Sequence, residues 1–429
     1  MDPPKRPGSS TQWALRIPLV NAVKRLVFLT KRWGRRQIFD KFKGGKDKLS
    51  SDRAIDKIST AKILLLGAAD SGKSTILKQM RMKYNVSFSS SEIEAYRRLA
   101  FDNVIQGMRL LLASLPSLGL NLPDALRPAE ELLNAATDLC HDAPFPADFS
   151  DAITALWNHS TVQEARRRGR EIALQENLPY LYTNLSRFFS PSFIPSHRDI
   201  LHLHERTVGT TETRLIVNGI DTLVVDVGGA ISERRKWIDA FADLTVIIYT
   251  VSLTGYSRFL VEDPCRNQMQ DSLLIWDSIC NAGWFRRIPI ILCFTKNDLF
   301  EQEIQHYVAN WFPDFQATPG DAAARRDFFL FEEEIQHSDV ANWFRGFQAA
   351  PGDTAAGRDY FINRFLALVK IGRRVLDEDL YIRVITATDA DAETMKEVLD
   401  LAEGMYCRVG CTSKQGCNTE VINGPNGLR

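Results

Sequence analysis

No stretch of the chain approaches the ~20 consecutive apolar residues that carry a helix across a bilayer, so a protein with membrane-spanning helices is excluded. Cysteine is sparse. The seven residues, at 140, 265, 280, 293, 407, 411 and 417, show no paired metal-ligand spacing. That argues against a disulfide-stapled scaffold and suits a reducing compartment. Excess charge of one sign is missing as well: 53 Lys and Arg balance 53 Asp and Glu. Net charge therefore selects no partner, and no nucleic acid is expected. What remains is ordinary for a globular protein: 429 residues, 45% hydrophobic and 25% charged, enough for two or three domains.

The balanced charge is unevenly spread. Residues 1–50 carry 13 Lys and Arg against three Asp, with Trp13, Leu15, Ile17, Leu19, Val23, Leu26 and Phe28 interleaved. Three readings stay open: a basic amphipathic segment for anionic lipid or a partner, a disordered basic arm, or an Arg-rich transit peptide.

Residues Gly67-Ala68-Ala69-Asp70-Ser71-Gly72-Lys73-Ser74 fit G-x-x-x-x-G-K-[ST]. The apolar run Ile63–Leu66 leads in and a helical pattern from Ser74 to Met82 leads out, which is the context this phosphate-binding loop requires. Its backbone N–H groups curl round phosphate oxygens at a helix N-terminus. Lys73 suits the β- and γ-phosphates and the Ser74 hydroxyl suits Mg²⁺. Ala69 is expected beside the γ-phosphate, where many GTPases carry glycine.

From Ser91 to Leu115 the apolar residues Ile93, Tyr96, Ala100, Val104, Met108, Leu111 and Leu115 recur every three or four positions, predicting a long amphipathic helix. The chain stays helix-like to about residue 190, broken at Pro116, Pro123, Pro144 and Pro146, with no convincing strand pattern. Strand signals return at Leu215–Val217, where Asn218-Gly219 reads as a type I′ turn into Thr222–Val225. Further strands are predicted at Thr245–Val251, Ile288–Phe294 and Tyr381–Ile385. Alternating strands and helices argue for an α/β domain with a mainly parallel sheet, interrupted after its first helix by a helical unit. Leu299–Phe329 closely matches Leu330–Phe361, a tandem duplication with too few copies for a solenoid.

Three later motifs follow in GTPase order. Asp226-Val227-Gly228-Gly229 ends a buried strand, where Asp226 can hold Mg²⁺ and the Gly229 N–H can reach a γ-phosphate. Thr295-Lys296-Asn297-Asp298 follows the next strand but one. The Asp298 carboxylate can accept from the N1–H and N2–H₂ edge of guanine, a donor pair that adenine lacks. Thr386-Ala387-Thr388 follows the last strand, where Ala387 can offer an N–H to guanine O6.

The pattern resembles the α subunits of heterotrimeric G proteins from about residue 55 to 408. The resemblance rests on Lys73–Met80, on Asp226–Gly229 with Ser232–Trp237, on Asp277–Asn281, and on the helical insertion. It implies a Ras-like P-loop NTPase domain with an inserted all-helical domain, acting as a GTP/GDP switch with Mg²⁺. Implied partners are a βγ dimer, an effector and a G protein-coupled receptor. The expected division is a basic segment over 1–54, the Ras-like domain over 55–87 and 196–411, the helical domain over 88–195, and a polar tail over 412–429. Nucleotide contacts would come from Ala69, Asp70, Ser71, Gly72, Lys73, Ser74, Thr75, Gly229, Thr295, Lys296, Asp298 and Ala387. Metal ligands would be Ser74, Thr207 and Asp226, with Thr207 in a first switch at Asp199–Gly209 and a second switch at Asp226–Trp237.

Departures from the family pattern cluster round one phosphate. Ala230 stands where the family has the water-orienting glutamine, His204 where it has the switch arginine, and Ala69 where glycine is usual. Alanine cannot hydrogen-bond water through its side chain, and histidine lacks the guanidinium fork. GTP binding with slow hydrolysis is therefore expected. The alternatives are a nucleotide-independent scaffold on the same fold and, more remotely, an ATP-using P-loop kinase. Thr295 replaces the usual asparagine of the guanine motif. The sequence begins Met1-Asp2-Pro3-Pro4 and its first cysteine is Cys140, so neither usual lipid anchor is expected at the N-terminus. The expected location is cytoplasmic, with the basic segment substituting as a salt-dependent peripheral contact on the inner face of the plasma membrane.

Overall fold

The computed structural model describes residues 60–135, 144–169, 174–217, 219–303, 354–370, 374–376, 378–388, 396–402 and 404–405. The basic N-terminal segment, most of the 299–361 repeat and the polar tail lie outside the described residues.

Six strands form the main sheet: β1 (Thr60–Gly67), β2 (Thr210–Val217), β3 (Ile220–Val227), β4 (Val246–Ser252), β7 (Ile290–Thr295) and β8 (Leu380–Val384), in the order β2-β3-β1-β4-β7-β8. A separate two-stranded ribbon pairs β5 (Phe259–Leu260) with β6 (Asp263–Asn267). In the main sheet only β2 runs antiparallel to its neighbour. Val217 pairs with Ile220, leaving a two-residue connection, and Gly219 takes the left-handed φ of 82° that the second turn position demands. Asn218 lies outside the described residues.

The sheet is covered on both faces, and β1 shows how. Leu64 and Leu66 point to one core, with Tyr249, Phe294 and helices α10 (Gln268–Cys280) and α11 (Thr354–Ala367). Ile63 and Leu65 point to the other, with Ile76 and Met80 of α1 (Lys73–Lys83) and with Val398, Leu399 and Ala402. The period of two is the geometry of a strand buried on both sides. The Ras-like α/β architecture expected from the sequence is thus present.

The helical part follows α1: α2 (Ser90–Ser114), α3 (Arg127–Asn134), α4 (Ala147–Trp157), α5 (Ser160–Arg167), α6 (Leu178–Thr183) and α7 (Leu185–Phe188). Ser89 and Glu92 form a capping box at the start of α2, satisfying two backbone donors. Val104, Met108 and Leu111 on one stripe of α2 pack with Ile153, Leu156, Leu178 and Leu181 in a core of their own. A short helix α8 (His197–His202), with its own Ser196–Asp199 capping box, leads back to the sheet. A further short helix α9 (Trp237–Ala240) follows β3.

Candidate functional site

Parallel strands gather their carboxyl ends on one edge of the sheet, and ligands of open α/β sheets sit outside that edge. Here the loops after β1, β3, β7 and β8 all emerge there, so four motifs distant in sequence become neighbours.

The loop after β1 is shaped by backbone. Gly67 approaches β4 so closely that a Cβ would lie 2.4 Å from the Thr250 carbonyl oxygen. Asp70 (φ 55°) and Gly72 (φ 87°) both take left-handed conformations. Lys73 folds back over the loop, its Nζ donating to Ala68 O at 2.6 Å and Gly67 O at 3.1 Å. Burial pushes its ammonium down to about 8, against the opposing pull of Asp226. At Gly229 a Cβ would lie 2.4 Å from Ala68 O and 2.5 Å from Lys73 Nζ, so any larger residue would displace the lysine.

Ser74, Thr207 and Asp226 converge. Ser74 Oγ lies 2.7 Å from Thr207 Oγ1 and donates to Asp226 Oδ2 at 2.5 Å. The other carboxylate oxygen, Asp226 Oδ1, is buried with no hydrogen-bond partner. Burial raises the Asp226 carboxyl above its ordinary value even though Lys73 opposes it. An orphaned carboxylate oxygen beside two hydroxyls wants a cation. Among the described residues no group of three or more His, Cys, Asp or Glu could hold a metal alone. One carboxylate with hydroxyls, completed by water and phosphate, is how Mg²⁺ is usually held, and the residues fit it.

A cavity of about 360 Å³ opens over the loop. Its lining includes Ala69, Asp70, Ser71, Gly72, Lys73, Ser74 and Thr75. His204, Thr207, Gly229 and Ala230 line it too. The three departures noted in the sequence therefore face one space. His204 Nε2 stands 3.9 Å from Asp70 Oδ1. Its backbone is clasped by Asn103 of α2, which accepts from His204 N at 2.8 Å and donates to His204 O at 2.9 Å. Lys78 of α1 donates to the carbonyls of Ile200 and Leu203, fixing the approach to this segment.

Thr295, Lys296, Asp298 and Ala387 lie outside that lining. Thr295 is buried and donates to Ser71 O at 3.0 Å, tying the end of β7 to the phosphate loop. Asp298 sits in the first turn of a helical stretch over 297–303. Ala387 O accepts from Gln79 of α1 at 3.0 Å, and Asn297 N donates to Ile385 O at 3.3 Å. The loops after β7 and β8 are thereby joined.

Sequence reasoning missed a buried ionic network at the same place. Lys296 (φ 60°) sets its Nζ 2.9 Å from Asp70 Oδ2 and 2.5 Å from Glu176 Oε2. Glu176 Oε1 also accepts from Thr254 at 2.5 Å. Arg258 Nε lies 2.7 Å from that oxygen without hydrogen-bond alignment, and Arg258 also pairs with Glu303 at 2.9 Å. Burial works to raise the Asp70 carboxyl, but Lys296, then His204 and Arg258, outweigh it and hold it below its ordinary value. Glu176 is lowered in the same way, with Lys296 and Arg258 overcoming burial.

The two segments flanking the cavity are also coupled. Gly228 N donates to Gly209 O at 2.9 Å, and Gly209 N to Glu233 Oε2 at 2.6 Å. Arg234 donates to Gly229 O at 3.1 Å and pairs with buried Asp271, while Trp237 Nε1 donates to Gly228 O at 2.8 Å.

Comparison with known proteins agrees with this geometry. A family model described as G-protein alpha subunit matches residues 43–330. The guanine nucleotide-binding protein alpha-2 subunit of Mycosarcoma maydis is 42% identical over 62% of this chain and 76% of its own length. A guanine nucleotide-binding protein subunit alpha of Coprinellus congregatus is 38% identical over 64% of this chain and 77% of its own. The alpha-1 subunit of Mycosarcoma maydis is 39% identical over 62% and 76%. The family match ends at residue 330, at the junction of the two repeat copies.

Proposed function

The chain belongs to the G-protein alpha-subunit family, and from that premise we propose that it is a guanine-nucleotide switch that holds GTP firmly and hydrolyses it slowly. The observation that carries the reading is the convergence of Lys73, Ser74, Thr207 and Asp226, with Asp226 Oδ1 left unpartnered, beside the Gly229 backbone. Lys73 would exchange its loop carbonyls for β- and γ-phosphate oxygens. Ser74, Thr207 and Asp226 would hold Mg²⁺, which when bound neutralises charge on the phosphates. Asp298 would select guanine, with Ala387 N–H on its O6 and Lys296 and Thr295 bracing the base against the phosphate loop. Round the γ-phosphate would stand Ala69, His204 and Ala230: none supplies a guanidinium, and the two alanines have no side-chain group to orient water.

The domain division proposed is 55–87 with 196–411 for the nucleotide-binding part and 88–195 for the helical part. In signalling, the GDP form would favour a βγ dimer at the segment from Arg234 to Ala240, where Ile238 is exposed. The GTP form would favour an effector, and a G protein-coupled receptor would drive exchange. Among the described residues no helix is long and apolar enough to cross a membrane. The basic residues of 1–50 are proposed as a peripheral contact at the inner face of the plasma membrane.

The test is the nucleotide bound to the purified protein, together with equilibrium binding of a fluorescent GTP analogue with and without Mg²⁺ and in competition with ATP. Tight, Mg²⁺-dependent, guanine-selective binding is expected. Absence of binding would favour a nucleotide-independent scaffold, and preference for ATP a P-loop kinase.

Lys73 adds a pH signature. Its ammonium titrates at about 8 rather than 10.5. Phosphate prefers the charged form, so affinity for the analogue should fall as pH rises through about 8, approaching ~tenfold per unit. In the protein without nucleotide the sign reverses. There the unfolded chain binds the extra proton between about 8 and 10.5, so this group favours folding increasingly as pH rises. Analogue titrations from pH 7 to 9.5 check the first statement. Lys73→Arg, which keeps its charge, should flatten the profile, and a flat profile in the parent would refute the assignment.

A further inference from the structure

We propose that Arg206, two residues beyond the replaced switch position, is the cationic catalytic residue for the remaining GTP hydrolysis, and that Glu262 holds it in reserve at the rim of the cavity. The inference rests on the GTPase reading given above.

Arg206 and His204 both line the cavity that faces Ala69, Lys73 and Gly229. Arg206 immediately precedes Thr207, whose hydroxyl touches Ser74. Arg206 therefore belongs to the one segment that must approach the γ-phosphate for Thr207 to reach its place. Its guanidinium is held by Glu262 Oε1 at 3.1 Å. The other oxygen of Glu262 accepts the backbone N–H of Ile231 at 2.7 Å. Ile231 adjoins Ala230, so Arg206 is tethered beside the position from which the family's glutamine would act. Glu262 lines the same cavity.

The tether is weak. The side chain of Arg206 is 63% exposed and that of Glu262 25%. Exposed ion pairs of this kind contribute little, because water screens them and two long side chains must be ordered. A γ-phosphate gathering charge on its equatorial oxygens is a stronger partner for a planar guanidinium than one partly exposed carboxylate. In the reaction the water oxygen forms a bond to the γ-phosphorus. The bond from that phosphorus to the β–γ bridging oxygen breaks, its electron pair stays on GDP, and the proton lost by the water ends on the released phosphate. Arg206 transfers no proton. It swings from Glu262 to the phosphoryl oxygens and stabilises their charge. Glu262, still fixed by Ile231 N–H, is freed of its counter-ion.

Three variants of the full-length protein test this: Arg206→Ala, Glu262→Gln, and the two combined. Glutamine at 262 can still accept from Ile231 N but no longer pairs with a cation. Single-turnover hydrolysis should fall by ~10²-fold or more in R206A. It should rise a few-fold in E262Q, and the double variant should match R206A. Affinity for a non-hydrolysable GTP analogue should stay within about threefold throughout, because only transition-state binding is affected. Affinity for the transition-state mimic GDP–aluminium fluoride, followed by tryptophan fluorescence, should fall with hydrolysis in R206A. R206A hydrolysing like the parent, or losing ground-state affinity in proportion to its rate, would overturn the assignment. E262Q slowing hydrolysis would overturn the tether. A parent that binds no GTP analogue defeats the GTPase reading itself, and this inference with it.

Discussion

Combining His204→Arg with Ala230→Gln is expected to raise single-turnover GTP hydrolysis on the order of 10³-fold over the parent. The two positions line the same cavity as Lys73 and Gly229, so both new side chains border the space over the phosphate loop. An arginine at 204 inherits a backbone already clasped on both its N–H and its C=O by Asn103. The point from which its side chain departs is therefore fixed, which reduces what must be ordered for its charge to act. It also inherits Asp70, 3.9 Å from the present imidazole. That carboxylate is already engaged by Lys296, so it orients the newcomer without capturing it. A glutamine at 230 supplies the water acceptor that alanine lacks. Ala230 is only 5% exposed, so the longer side chain must extend into the cavity rather than away from it. Each single change should give a smaller gain, and the pair more than the product, because water orientation and charge stabilisation act on one transition state. Adding Ala69→Gly should help further by relieving the wall beside the phosphate. A combined gain below ~tenfold would mean that the cavity is closed to catalysis for a reason other than these side chains.

Much of this site was legible in the sequence because its motifs sit at strand ends, and strand ends announce themselves. β1, β4 and β7 are buried on both faces and read as continuous apolar runs. The phosphate loop follows β1 and the guanine motif follows β7, while the other two motifs follow β3 and β8, and the parallel order brings all of them to one edge. α2 was equally plain, since its apolar stripe is a local signal; its Ser89–Glu92 capping box is also local but went unread. The edge strand β2 was less so. Only its last residues carry an apolar pattern, while Thr210–Arg214 face solvent and look like loop. The β5–β6 ribbon is too short to have a period. Glu176, Arg258 and Asn103 were missed for a different reason. A charged or amide side chain gains its meaning from a partner far along the chain, here 120 residues for the Glu176–Lys296 contact and 101 for Asn103–His204. Composition rules assign such residues to the surface. Only the closing of the helical part against the sheet buries them.

Glu176→Ala is expected to speed release of a bound guanine nucleotide by about 10²-fold. Glu176 leaves the helical part next to Leu174, which packs in the helical core. It enters a network with Lys296, Arg258 and Thr254 from the sheet side. Lys296 in turn reaches Asp70 of the phosphate loop. A nucleotide lying between Asp298 and Lys73 would pass beneath this seam, so it leaves when the seam parts. Both cations are nearly buried, at 16% and 10% side-chain exposure for Lys296 and Arg258. Removing the carboxylate leaves Lys296 with Asp70 alone and Arg258 with Glu303 alone. Breaking a buried pair from one side costs about 3–5 kcal/mol, much of it the penalty of the charge left behind. Parting the seam rehydrates Lys296 and Arg258, so in the variant the open form recovers most of that penalty while the closed form bears it. About 3 kcal/mol corresponds to about 10²-fold in rate if opening limits release. Glu176→Gln should fall between the two, because its amide oxygen still accepts from Thr254 while the charge is lost. The dissociation rate of a fluorescent GDP analogue reads the effect directly. A Glu176→Ala variant that releases it within about threefold of the parent would show that the network stabilises the fold without gating the site. Lys296→Ala would instead take the shared cation from Glu176 and Asp70, leaving Glu176 with Arg258 and Thr254, and it should also accelerate release, for the opposite electrostatic reason.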